Sequence, residues 1–155
     1  MTIKWGDMFD DSIRFSYDHA DVDLEFVHGF LRTSYWSPGI RRDVVERAIA
    51  NSLVVAGLYA DGATERQISF ARIVTDKATF AYVCDVFVVD GFRSKGVGQR
   101  MMDAAHEHPA IVGTRRWLLA TLDAHGLYQR HGYHSLGSPA RWMERMSPPN
   151  QWKDG

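Results

Sequence analysis

The chain has 155 residues, the size of one ordinary domain, and its 45% apolar and 24% charged content is that of a packed globular core. The formal net charge is −1 and no basic block stands out, which argues against a dedicated nucleic-acid binder. A single cysteine, Cys84, excludes an intramolecular disulfide framework, and no apolar run reaches the length of a membrane span.

Met1 to Asp10 carries Asp7 and Asp10 and lacks a basic-then-apolar leader pattern, so a cytoplasmic protein is expected. Ile13, Phe15 and Tyr17 alternate with polar residues and predict a first strand. Asp21 is placed to cap a helix in which Leu24, Val27, Leu31 and Tyr35 recur at helical spacing. Ser37-Pro38-Gly39 breaks the chain, and Val44, Val45, Ala48 and Ile49 then form the apolar face of a second helix. Leu53 to Tyr59, Gln67 to Val74 and Thr79 to Val89 read as three antiparallel strands. Asp61-Gly62 marks a turn, in a loop longer than two residues.

After Asp90-Gly91-Phe92 and a loop from Arg93 to Gly98 comes a third helix, with Val97, Met101, Ala104, Ala105 and His108 on one face and Pro109 at its end. Trp117 to Thr121 is a short strand. Asp123 is placed to cap a helix through His131, closed by Gly132 in a left-handed conformation. Tyr133 to Leu136 and Arg141 to Met146 suit a closing hairpin. The order predicts an α/β (α+β) single domain over residues 1–146, with a mixed, mostly antiparallel sheet of about seven strands flanked by about four helices. The Pro-rich, polar segment 147–155 is expected to lie outside the core as a flexible tail.

Arg93-Ser94-Lys95-Gly96-Val97-Gly98 links the third meander strand to the third helix. Free amides at a helix start and the helix dipole attract anions. Glycines at 96 and 98 allow close backbone approach, and Arg93 and Lys95 add positive charge, so a pyrophosphate suits the loop. Taken alone, the segment is equally a plain strand–helix connection. Its spacing is not that of a P-loop, and Met101 stands where a dinucleotide fingerprint has its third glycine.

Arg93-x-x-Gly96-x-Gly98, preceded by Val86-Phe87-Val88 and Phe92, resembles the acetyl-CoA motif of the GNAT N-acetyltransferase superfamily, and the element order resembles that family from about Ile13 to Met146. The resemblance implies the acyl-CoA N-acyltransferase fold, acetyl-CoA as co-substrate and transfer of an acetyl group to a small amine by direct attack in a ternary complex. It also implies that the amides of Arg93, Ser94, Lys95, Gly96, Val97 and Gly98 hold the pyrophosphate. The backbone of Val86, Phe87 and Val88 would pair with the pantetheine arm as an added strand, beside a bulge that opens the slot.

Tyr128, in Leu127-Tyr128 before Gly132-Tyr133, resembles the phenol that protonates the departing thiolate in that family; by itself it reads as a half-buried aromatic with a wet hydroxyl. Many members carry an Asn seven residues earlier, where this chain has Thr121. Asp85 interrupts an apolar strand. It either orients or deprotonates the acceptor amine, as a strand similar to that of small-amine acetyltransferases implies, or forms a structural salt bridge with Arg72. Cys84 replaces the Glu that serves as base in those enzymes and reads as a small buried residue, not a nucleophile.

Tyr35 and Trp36 border the acceptor side of the resembling fold, either as a cation–π wall for an amine or as a hydrophobic plug. Arg32 and Arg41-Arg42 would suit a carboxylate on the acceptor. The seven His are scattered, so no metal site is expected. Neither a nucleic-acid nor a membrane partner is expected, and the assembly is a monomer or homodimer. A non-catalytic acyl-CoA sensor and a protein or peptide N-acetyltransferase are the competing functions on such a fold.

Overall fold

The computed structural model of the chain describes residues 12–154, so the Met1 to Asp10 segment read for a leader lies outside the described residues. Strands β1 (Ile13–Ser16), β2 (Leu53–Asp61), β3 (Thr64–Thr75), β4 (Phe80–Val88) and β5 (Arg116–Leu119) form a single sheet in the order β1-β2-β3-β4-β5. All neighbours are antiparallel except β4 and β5, which are parallel because helix α3 (Val97–His106) carries the chain between them. Helices α1 (Leu24–Leu31) and α2 (Arg42–Ala50) precede β2, and α4 (His125–Gln129) follows β5.

Alternation along the strands sends side chains to two cores. Val54, Phe70 and Phe87 meet Val27 and Leu31 of α1 and Val45 and Ile49 of α2. Val55, Ala71, Ile73 and Val83 meet Met101, Met102 and Ala105 of α3, together with Tyr128 of α4. The sheet is therefore the middle of three layers, and each fully buried Val, Leu, Ile or Met side chain contributes on the order of 1.5–3 kcal/mol.

Several boundaries differ from the sequence expectation for local reasons. Asp23, not Asp21, caps α1, accepting from the Phe26 amide at 3.1 Å. Asp21 instead accepts from Ser16 Oγ at 2.6 Å and pairs with Arg14. Asp61 pairs with Thr64, so Gly62-Ala63 is a two-residue turn, with Gly62 at φ +63°. The Ala124 amide, at the start of α4, donates to Thr121 Oγ1 at 3.0 Å, so Asp123 does not cap that helix.

The closing hairpin does not form, and the sheet has five strands where about seven were expected. Gly132, Gly137 and Pro139 bracket the first segment tightly, and in the second an extended chain would place Glu144 on the same face as Trp142 and Met146. The last residues are not loose: Lys153 bridges Ile40, with Arg41 N donating to Trp152 O at 3.0 Å and Asp154 N to Gly39 O at 2.9 Å.

Candidate active site

The site begins with one extra residue in β4. Arg72 pairs with Cys84 and Phe70 with Phe87, so Asp85 and Val86 together oppose Ala71. Asp85 takes up the bulge at φ +53°, a left-handed conformation that Asp tolerates better than most residues. Pairing between β4 and β5 ends just before this bulge, at Val83 and Leu119. Beyond it the two chains diverge, leaving a cleft of about 1300 Å³ between residues 84–88 and 120–124.

Arg93, Ser94 and Gly98 line one end of the cleft, and Phe30, Ser34, Tyr35 and Trp36 the other; Leu127 and Tyr128 complete its wall. The loop is shaped from within. Arg93 Nε donates to Val88 O at 2.8 Å and its guanidinium pairs with Asp90, while Lys95 Nζ donates to Gly91 O at 3.0 Å. These two cations brace the turn, and the backbone amides at the start of α3 are left for an anion. Gly96 caps α3 at φ +79°, and a Cβ built there would meet nothing within 4 Å. A Cβ at Gly98 would touch only Leu127, at 3.6 Å. The space over the loop is thus open to a bulky ligand, which fits the phosphates of a coenzyme A.

Tyr128 is 7% exposed and packs edge-on against Tyr133, with ring centroids 5.9 Å apart. Burial, reinforced by Tyr35 and Asp123, pushes its phenol up to about 12, so it is neutral at ordinary pH and holds a proton to donate. Cys84 lines the same cleft, but burial pushes its thiol up to about 12 as well, and it leans on Arg72 O at 3.6 Å. A thiol so protonated is no nucleophile.

Asp85 is held on both oxygens: Arg72 Nε donates to Oδ2 at 2.8 Å and Trp36 Nε1 to Oδ1 at 3.1 Å. The salt bridge foreseen as one alternative therefore exists, and it also ties Trp36 to the cleft. Tyr35 stands edge-on to Trp36 at 5.0 Å, and its hydroxyl accepts from the Leu122 amide at 3.4 Å across the cleft. Arg41 and Arg42 are engaged elsewhere, with Asp43 and with Glu25 and Glu46. The structure thus brings together the loop, the bulge, Tyr35, Trp36 and Tyr128. The Trp36–Asp85 contact was not visible in the sequence, because partners 49 positions apart leave no periodic signal. Among the described residues, no cluster of His, Cys, Asp or Glu is placed to hold a metal ion, and no helix is long and apolar enough to cross a membrane.

The family profile described as an acetyltransferase (GNAT) domain matches residues 51–135, more than half of the chain, including the bulge, the glycine loop and Tyr128. The chain belongs to the GNAT acetyltransferase family. A crystal structure from Xanthomonas campestris assigned to the same family is 42% identical, covers 88% of this chain and 94% of its own, and superposes with a TM-score of 0.81. Two more distant structures show the shared fold. A Clostridium acetobutylicum protein solved with acetyl-CoA is 15% identical, with 86% of this chain and 94% of its own covered and a TM-score of 0.62. Glucosamine-6-phosphate N-acetyltransferase from Arabidopsis thaliana is 12% identical, with 88% and 97% covered and a TM-score of 0.60. No curated protein matches the sequence.

Proposed function

We propose that this GNAT protein is an acetyl-CoA-dependent N-acetyltransferase acting on a small amine. The observation that carries the reading is the coincidence, in one cleft, of an open glycine loop at a helix start, diverging strands and a neutral phenol. Acetyl-CoA, when bound, supplies the activated acetyl thioester. The amides from Ser94 to Gly98 hold its pyrophosphate, that of Arg93 being spent on Asp90 O at 3.3 Å, and the β4 backbone past the bulge faces an extended ligand arm.

The chain's own residues then do three things. Tyr35 and Trp36, exposed by 59% and 39%, give the acceptor end an aromatic wall that suits an ammonium or an apolar amine. Asp85 positions that wall: with both oxygens engaged it holds Trp36 through the indole N–H, and the proton lost by the amine passes to solvent in the open cleft. Tyr128 Oη delivers a proton to the sulfur as the carbon–sulfur bond breaks and the carbon–nitrogen bond forms, and regains one from water. The reaction needs no covalent enzyme adduct, which agrees with the protonated state of Cys84.

The test is a panel of aliphatic, aromatic and amino-acid amines incubated with acetyl-CoA and read by release of free thiol. Turnover with at least one small amine, and none with acetyl-CoA alone, is the expected result. A panel silent throughout, with acetyl-CoA nonetheless bound, would point instead to a sensor.

A further inference from the structure

At the acceptor end of the cleft the polar side chains are already spent on the protein itself. Trp36 Nε1 and the Arg72 guanidinium occupy the two oxygens of Asp85. The Tyr35 hydroxyl accepts from the Leu122 amide. Thr33 Oγ1 donates to Phe30 O at 3.0 Å, and Ser34 Oγ to Leu31 O at 2.7 Å. The Cys84 thiol leans on Arg72 O. Groups engaged in this way have little left for a polar substituent on a ligand.

What remains is ring surface. Tyr35 and Trp36 stand with their planes 80° apart and so form a corner, which Phe30 continues at 6.2 Å from Trp36. Tyr82 lines the same cleft from β4. A planar ring set in such a corner stacks on one wall and meets the other edge-on, the two arrangements that aromatic pairs favour.

The charges point the same way. Among the described residues Arg93 is the only cation that lines the cleft, and it stands at the glycine-loop end, held by Asp90 and Val88 O. Arg32, Arg41 and Arg42, which would suit a carboxylate on the acceptor, do not line it, and neither does Arg72. Asp123 does line it, and no described residue pairs with that carboxylate. Tyr35 and Asp123 both lie near enough to act on the Tyr128 phenol, so corner, carboxylate and phenol are neighbours. An ammonium is drawn to Asp123, whereas an acid group on the acceptor meets a like charge with no cation to offset it.

We infer that the acceptor is an arylalkylamine, an amine on a short alkyl chain that carries an aromatic ring and no carboxylate or phosphate. Its ring occupies the Tyr35–Trp36 corner, and Asp123 draws its ammonium toward Tyr128. The inference rests on the N-acetyltransferase reading and narrows it: amino acids and phosphorylated amino sugars are rejected on charge, and ring-less amines forgo the stacking.

Initial rates with acetyl-CoA test it on 2-phenylethylamine and tyramine against phenylalanine, glucosamine-6-phosphate and hexylamine. The better arylalkylamine should exceed each of the other three at least about tenfold in kcat/KM. Trp36→Leu should bring it down to about the level of hexylamine. Asp123→Asn should narrow its lead over phenylalanine at least about threefold and leave its lead over hexylamine in place. Each readout is a ratio of two amines on one protein, so partial loss of folding does not move it. Calorimetry on the CoA-loaded protein should give the same order of binding without turnover. If phenylalanine, glucosamine-6-phosphate or hexylamine matches or exceeds both arylalkylamines, the inference is overturned and the N-acetyltransferase reading stands. A ring preference that survives Trp36→Leu overturns it as well. Silence from every amine, with acetyl-CoA bound, overturns both.

Discussion

Two groups that line the cleft between β4 and the chain after β5 show how burial decides what a side chain can do. Cys84 and Tyr128 are both driven toward their neutral forms, to about 12 in each case. A neutral thiol is inert, whereas a neutral phenol is an acid in waiting. Tyr128→Phe removes one oxygen and keeps the ring against Tyr133. It should lower kcat at least about tenfold while acetyl-CoA affinity, measured by calorimetry, stays within about twofold. The pH dependence follows from the sign of the shift. Ionisation begins near pH 10 in the unfolded chain but only near about 12 in the folded one, so the phenol's proton stays available across ordinary pH. The rate should therefore rise as the amine deprotonates and show no downturn below about pH 10.

Asp85 tests positioning in the same way. Asp85→Asn keeps the left-handed conformation but loses the ionic hold of Arg72 that fixes the side chain under Trp36, and should raise the acceptor KM with little change in coenzyme A binding. Asp85→Ala leaves Arg72 without its ionic partner in a half-buried setting, and roughly 3 kcal/mol of stability should be lost in urea unfolding.

Among the elements, the loop into α3 has the sharpest internal contrast, because its two glycines are needed for different reasons. Gly96 stands at φ +79° beneath open space, so Gly96→Ala adds strain of about 1 kcal/mol and a methyl group where phosphate would sit. Gly98→Ala meets only Leu127 at ordinary contact distance. Thermal scans should show acetyl-CoA stabilisation lost in the first variant and retained in the second; equal loss in both would move the phosphate contact toward Gly98.

The loop was legible because glycine spacing and a helix start are local signals, and so were the three meander strands, whose β-branched runs need no distant partner to declare themselves. Met102 of α3 escaped the periodic reading because the helix lies flat enough on the sheet to bury both Met101 and Met102. The β4 bulge was expected from family resemblance, but its residue, Asp85, is identified only by the register with β3. The closing hairpin failed for the opposite reason: residues 133–136 and 141–146 contain strand-forming types, yet no arrangement within the chain gives them one buried face.

At the scale of the whole molecule, the sheet is continuous from β1 to the Val83–Leu119 pair and open beyond it. The opening separates the β4 extension, which backs onto α1 and α2 through Phe87, from the chain that leads into α4. Phe87 stacks on Phe30 at 3.8 Å, so the β4 side is packed onto the α1 layer. A long ligand laid in the cleft would bridge the two sides as an added strand, adding to the β4–β5 pairs and the Leu122–Tyr35 hydrogen bond that already join them.

Binding of this kind has a local signature. Saturation with acetyl-CoA at about a hundredfold over Kd should raise stability by about 2.7 kcal/mol. Hydrogen exchange should slow over residues 84–88, 93–98 and 120–124, where cleft-lining amides gain partners, and stay unchanged in β1 and β2, which do not line the cleft. ATP, which offers phosphates without the pantetheine arm, should protect only the loop at 93–98. Equal protection by ATP over 84–88 would mean that the strands do not receive an extended arm, and the cleft would then be a nucleotide site with the loop as its only specific element.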